Sequence, residues 1–339
     1  MKNIIVIVLL LNMWLYACHG GQDREKLIIT DADTLVSSSK IIWKNCLSSS
    51  LQLVKDSIWP DQKGHSFFVQ SPRLYVSPDI NQNIYIGAIV TRKFNVFPCV
   101  DVQGSMDNEA ISLSFSFGSG KQYCYPQIPS KESMDSLIRA YLEDNKVQQF
   151  TSIIYNNSIK YSSYKELYLQ FSYLGIRLDS LLGGNKYDFV SMNRKNGIAI
   201  ILERSLFSLD MDMPLTGPVN VLECDKNDLA YISSIMFGDI KIMLVESDLS
   251  MDEISSFVEL IKNKDILNYK SCEIVNDFDV FIVDFNSRQI KKRMGKCDLI
   301  YSFYNEFFEI DGSITPLYAL FSNYYNHNPS DISFYIHLP

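Results

Sequence analysis

At 339 residues the chain is long enough for one large domain or two ordinary ones with a buried core. A composition of 47% hydrophobic, 13% aromatic and only 21% charged residues excludes a disordered chain. The net charge of −8, with no long basic run, excludes a sequence-independent nucleic-acid binder, and four histidines leave little material for metal or proton-transfer chemistry.

Residues 1–17 read as an export signal. Lys2 is the only charge before an apolar run from Ile4 to Leu11, which Asn12 interrupts before Met13, Trp14 and Leu15 resume it. The run is shorter than the roughly 18 apolar residues of a membrane span, so it is a signal-peptide core. It ends in Leu15, Tyr16, Ala17 and Cys18, which resembles the lipobox of bacterial lipoproteins, with a tyrosine where a small residue is usual. The resemblance implies export, cleavage before Cys18, acylation of that cysteine and attachment to the outer membrane; an ordinary signal peptide is the alternative. Residues 18–30 then form a lipidated tether and residues 31–339 the core.

Cysteines 46, 99, 124, 224, 272 and 297 remain. An exported chain meets an oxidising compartment, so they are disulfides or buried free thiols. None is spaced C-x-x-C, which removes the zinc-ribbon and thioredoxin readings.

Further along, residues 111–117 alternate Ile, Leu and Phe with three serines, which predicts a strand with one wet face. After Pro129 and Ser130, Met134, Leu137, Ile138, Tyr141 and Leu142 recur at helical spacing and predict a helix. Residues 164–182 satisfy two templates. As a helix, Leu167, Phe171, Leu174, Leu178 and Leu181 make one stripe; as a strand, Leu167, Leu169, Phe171 and Tyr173 alternate with Glu166, Tyr168, Gln170 and Ser172. Gly183 and Gly184 serve either a helix stop or a hairpin turn. Residues 198–202, 240–245 and 280–283 are apolar runs of strand length, covered on both sides, whereas 207–213 predicts a strand whose Ser208, Asp210 and Asp212 face solvent. Ser250 and Glu253 have capping-box spacing and open a helix with Ile254, Phe257, Val258 and Ile261 on one face. Irregularly ordered strands and helices predict an α+β fold, a central twisted and mainly antiparallel sheet flanked by short helical segments.

No enzyme constellation is present. Gly118 to Lys121 has the tail of a phosphate-binding loop without its first glycine, and Gln122 stands where the metal-binding hydroxyl belongs. His327 and His337 lack carboxylate or cysteine neighbours in sequence, and Asp210 with Asp212 reads as a solvated strand face rather than an acid and base. No catalytic residue, metal or cofactor is implied.

The specific signal lies at 229–247. Tyr231, Ser233, Phe237, Gly238, Val245 and Glu246 stand where the thiol-activated, cholesterol-dependent cytolysins of the perforin-like superfamily carry Tyr-Val-Ser, Tyr-Gly-Arg and Lys-Leu-Glu-Thr, and the segment resembles theirs. Other stretches follow in that family's order: Tyr85 to Ile89, the 111–117 strand, a helix at 130–144, Gly175 to Asp179 with 198–214, and Pro316 to Phe321. The resemblance covers 84–339 by order and spacing. It departs at Asp239, where the family has arginine; at Ile86, where it has proline; and at Val283 to Asn286, where a Gly-Gly pair that lets the sheet open is expected.

The resemblance implies a pore-forming toxin or pore subunit that oligomerises on a membrane and converts helical segments into amphipathic β-hairpins. Its partners would be membrane lipid and further copies of itself or a longer homologue. Leu167, Leu169, Phe171 and Tyr173 are the apolar face of the first candidate hairpin; Ile254, Val258 and Leu260, with Ser256 between, are that of the second. Cholesterol binding is implied by the family, yet the sequence stops near the Pro316 strand, where the family's tryptophan-rich sterol-binding domain would follow. A short form lacking that domain is therefore expected. Alternatives are a non-lytic surface lipoprotein of the same fold, acting in adhesion, immunity to a related toxin or partner binding, and an enzyme or carbohydrate-binding module on another fold.

Overall fold

The computed structural model describes residues 42–77, 80–94, 102–105, 110–116, 125–145, 153–175, 191–212, 228–262, 278–284, 289–294, 303 and 314–339. The signal, Cys18 and the tether, Gly118 to Lys121, Gly183 and Gly184, and every cysteine except Cys18 and Cys46 also fall outside the described residues, so the readings made on them stay as expectations. Cys46 is a half-buried free thiol, raised in pKa first by burial and then by Glu166, which makes it a poor nucleophile.

The strands, in chain order, are β1 (Gln52–Ile58), β2 (His65–Ser71), β3 (Arg73–Tyr75), β4 (Ala88–Thr91), β5 (Lys93–Phe94), β6 (Val102–Ser105), β7 (Ile111–Ser116), β8 (Tyr125–Gln127), β9 (Ile153–Tyr161), β10 (Asn196–Met211), β11 (Leu229–Ser247), β12 (Phe278–Asp284), β13 (Gln289–Met294), β14 (Thr315–Asn323) and β15 (Ile332–Leu338). The helices are α1 (Lys131–Asp144), α2 (Tyr164–Phe171) and α3 (Met251–Lys262). Among the described residues they build the expected α+β architecture, with two sheets rather than one. A small sheet runs β1-β2-β15-β5, and a large one runs β13-β12-β11-β10-β7-β8, with β9 on β10 and both β14 and β4 on β11. The small sheet takes its strands from residues 52–71, 93–94 and 332–338, stretches in which the sequence offered no motif.

The alternation read at 111–117 is borne out in β7, where Ile111, Leu113 and Phe115 are buried and Ser112 is exposed. α1 opens with Ser130, whose side chain accepts from the Ser133 amide at 3.1 Å. It buries Met134, Leu137, Ile138 and Tyr141, and the Tyr141 ring stacks on Phe115 at 3.7 Å.

Two expectations on β10 are corrected. Residues 198–202 and 207–213 are not separate strands, because one 16-residue strand runs through the polar group Glu203, Arg204 and Ser205. The strand survives because its charges find partners: Tyr75 donates to Glu203 at 2.7 Å, and Arg204 lies 3.6 Å from Asp239 on β11. Nor is the 207–213 face fully solvated. Ser208 is buried and Asp210 half-buried, and Asp210 accepts from Ser116, Ser208 and Ser234 at 2.5–2.7 Å; Asp212 is exposed as expected.

β11 is a 19-residue strand antiparallel to β10 along most of its length. Its first half pairs with β4 and β14, its second half with β12. The changeover falls at Phe237 and Gly238, opposite a bulge at Ser205/Phe207 on β10. Phe237 stacks on Phe207 at 5.0 Å. A Cβ on Gly238 would sit 1.9 Å from the Arg204 carbonyl oxygen, so the two backbones approach there as no other residue allows.

Gly238→Ala is therefore expected to lower the unfolding free energy by about 2–4 kcal/mol in urea titration. Gly104→Ala, at a position with open space around the added carbon, serves as the control and changes it by less than about 0.5 kcal/mol.

Candidate functional site

Strands β9, β10, β11 and β12 are consecutive antiparallel neighbours. The chain passes from β9 to β10 through residues 162–195 and from β11 to β12 through 248–277, both at the end of the sheet marked by Tyr161, Asn196, Ser247 and Phe278. Each connection is roughly 30 residues, against about 2–5 for an ordinary hairpin loop. The candidate hairpins read from the sequence lie in these two connections.

Both begin as helices. In the first, Ser163 accepts from the Glu166 amide, and the Glu166 carboxylate accepts from the Ser162 amide at 2.7 Å, which starts α2. The helix ends in a single 3-10 turn at Ser172–Leu174 and a left-handed Gly175. Leu167, Leu169 and Phe171 are fully buried and Tyr173 nearly so. Leu167, Phe171, Tyr173 and Leu174 pack on the sheet face of Ala199, Ile201, Ile242 and Leu244, while Leu169 joins the core that contains Phe67 and Val69 of the small sheet. Of the two templates at 164–182, the helix is the one adopted in this structure through residue 171.

In the second connection, Ser250 and Glu253 form the expected reciprocal cap: the Glu253 amide donates to Ser250 at 3.3 Å and the Ser250 amide to Glu253 at 2.9 Å. The Ser250 hydroxyl, which donates to the same carboxylate at 2.6 Å, and then the Ser250 amide hold the Glu253 carboxyl below its ordinary pKa. Ile254, Phe257 and Val258 of α3 pack on the opposite sheet face, against Ile198, Ile200, Met243 and Val245. Phe257 stacks on Phe278 at 4.0 Å. Ser256 is exposed, and Leu260 lies within the helix, its side chain outside the described set.

A buried polar row holds the roots of the connections. Tyr161, Gly197, Glu246 and Asp279 are mutual partners across β9, β10, β11 and β12, so their side chains share one face. Glu246 is fully buried and accepts from Tyr161 at 2.9 Å and from Tyr164, in the first turn of α2, at 3.2 Å. Tyr161 reaches it across β10 because Gly197 has no side chain; a Cβ there would lie 2.4 Å from the Tyr161 ring. Arg194 bonds Asp279 and Asp248, both at 3.0 Å, and Asn196 donates to the Leu249 carbonyl at 2.8 Å. The first connection's exit is thus clamped to the second's entrance.

The motif residues do not form one site. Tyr231 and Glu246 stand at opposite ends of β11, roughly 50 Å apart at about 3.3 Å per residue. Tyr231 lies 3.2 Å from His327 Nδ1, and Ser233 accepts from Ser322 at 2.9 Å, fastening β11 to β14 and the turn after it. Phe237 and Gly238 serve the strand crossing, and Glu246 the root of the connections. Sequence reading missed Tyr161, Tyr164 and Gly197; their one signal is a glycine directly before the 198–202 apolar run. Among the described residues no helix is long and apolar enough to cross a membrane, a statement that leaves β-barrels untouched.

No protein-family model matches the chain, and no curated protein matches it in sequence. Solved toxin structures do match in fold. A trapped toxin superposes with a TM-score of 0.59 at 14% identity, over 87% of this chain and 70% of that one. The human-specific toxin intermedilysin gives 0.56 at 12%, over 88% and 72%. Suilysin from Streptococcus suis gives 0.58 at 12%, over 86% and 69%. The chain has the cholesterol-dependent cytolysin fold, in line with the resemblance read at 84–339, and identities this low carry the fold alone.

Removing the Tyr161 hydroxyl leaves the buried Glu246 with one donor fewer, so Tyr161→Phe is expected to cost about 1–3 kcal/mol in urea titration. Burial, then Glu203, pushes the Tyr173 phenol up to about 12. A folded pKa above the unfolded one means stability is full below about pH 10 and falls as pH rises towards 12, by about 1.4 kcal/mol per pH unit for this group. Urea titrations between pH 8 and 11.5 check it, and Tyr173→Phe should flatten the decline.

Proposed function

We propose that this chain is a pore former or pore subunit, held to a membrane through an acylated Cys18, in which the 162–195 and 248–277 connections leave their helices and extend β9–β10 and β11–β12 as two adjoining hairpins. One observation carries the reading. Side chains two residues apart on a strand share a face. If β9 runs on in phase, Leu167, Leu169, Phe171 and Tyr173 fall on the face of Tyr161; if β11 runs on, Ile254, Ser256, Val258 and Leu260 fall on the face of Glu246. Tyr161 and Glu246 share a face of the sheet. Both apolar sets therefore extend one side, as a barrel with lipid outside and water inside requires. Glu166, Gln170, Glu253 and Glu259 fall on the other.

A spanning strand needs about 9–11 residues, and each connection is long enough for two with a turn between them. Only a closed barrel satisfies the backbone in lipid, so the reading requires self-association or a longer homologous partner. β9 pairs with β10 alone among the described strands, whereas β12 is covered by β13, which would have to leave for edge-to-edge pairing. This function involves no catalysis. A non-lytic surface protein of the same fold is the second reading. It is favoured by the close β12–β13 pairing, which runs to Asp284 and Gln289 across a link, 285–288, that contains no glycine.

Liposome leakage by the mature chain, alone and with any longer homologue, tests the proposal, with rings visible by negative-stain microscopy. In leaking liposomes, an environment-sensitive dye on single cysteines brightens at 167, 169, 171 and 173 and stays dim at 166, 168, 170 and 172. Absence of leakage and rings in both mixtures leaves the non-lytic reading. Cys18→Ser is expected to abolish acyl labelling; labelling that persists rules out the anchor.

A further inference from the structure

Beside the first connection lies a cavity of about 260 Å³, formed by β3, β9, β10 and the 3-10 turn at Ser172–Leu174. At its base Glu203 is more than nine-tenths buried. One carboxylate oxygen, Oε2, accepts from Tyr75 at 2.7 Å. The other, Oε1, is buried with no hydrogen-bond donor in range, and Arg73 Nη1 stands off at 3.8 Å. A buried carboxylate oxygen left in this state costs free energy that a ligand hydroxyl would recover.

We propose that this cavity binds a single uncharged pyranose ring, either a free monosaccharide or the end of a glycan. Its chemistry selects against ions of both signs. A cation would meet the Arg73 guanidinium, which already occupies the faces of Tyr75 and Tyr318 at 5.1 and 5.0 Å. An anion would meet Glu203. A neutral polyol supplies the donor that Oε1 lacks, while Asn157, which lines the cavity on the same sheet face as Glu203, offers both donors and acceptors through its carboxamide. The Tyr155 and Tyr173 rings provide the apolar walls for a C–H face. Burial, then Glu203, raises the Tyr75 phenol above its ordinary range, so it remains a neutral donor to Glu203. The volume lies just under the range of about 300–1,000 Å³ usual for ligand sites, which suits one ring and excludes a lipid chain.

The test uses the full chain and methyl glycosides of glucose, galactose, mannose, fucose, N-acetylglucosamine and N-acetylgalactosamine, with choline and inorganic phosphate as charged controls. Saturation-transfer NMR is expected to show saturable binding of at least one glycoside and neither control. Tyr155 is 57% exposed, so Tyr155→Ala leaves the fold intact; it should weaken that binding at least threefold. Glu203→Gln, checked for folding by circular dichroism, should do the same. A disaccharide ending in the preferred ring separates a glycan terminus, which binds as well, from a free sugar, which binds alone. Failure of every glycoside, tighter binding of choline or phosphate, or a Tyr155→Ala effect below threefold overturns the proposal. Binding is read without reference to leakage, so it stands or falls apart from pore formation.

Discussion

The antiparallel pairing of β10 with β11 is the constraint on which the rest of the structure depends. One end of the pair carries β4, β7 and β14; the other carries β9 and β12 and emits both long connections. Register along this pair decides which residues share a row across the sheet. A slip of one residue would turn every side chain to the other face. Gly238 and the facing bulge fix the point where the two halves meet, because there the two backbones approach too closely for a side chain.

From that register follows the polar row Tyr161, Gly197, Glu246 and Asp279. A fully buried carboxylate is costly unless hydrogen-bonded, and its donors come from the last residue of β9 and the first turn of α2. The sheet and the stored helix are thereby tied through one side chain. α2 is wedged between the sheet and the core of the small sheet, whereas α3 rests on the opposite face with its cap exposed. Among the described residues α2 therefore packs into two cores and α3 into one.

The cavity beside α2 is a product of the same packing. β3 and the 3-10 turn at Ser172–Leu174 approach the β10 face at Glu203 without filling the space above it. Tyr75 lies 5.3 Å from Tyr173 and 5.7 Å from Tyr318, edge-on to each, so the wall on that side is rigid and aromatic. A charged residue within the longest covered run of β10 is explained by these neighbours and not by solvent.

Local pattern was enough to read the α+β class, the helix after Ser130, the helix capped at Ser250 and the main strands, because periodicity and capping act over a few residues, whereas 164–182 satisfied the helix and the strand template alike. It showed the alternating faces at 167–173 and 254–260, while Glu246 was singled out by the family resemblance. What it could not supply was the joining of 198–202 to 207–213, since the partners of Glu203 and Arg204 lie far away at Tyr75 and Asp239. Nor could it show that Gly197 exists to let Tyr161 cross to Glu246, or that Asp210 gathers serines from three strands. By itself the sequence determined which faces are apolar and, outside 164–182, which of the segments read are helix or strand. Tertiary structure alone decided which buried charges meet, because that depends on strand register between residues distant in the chain.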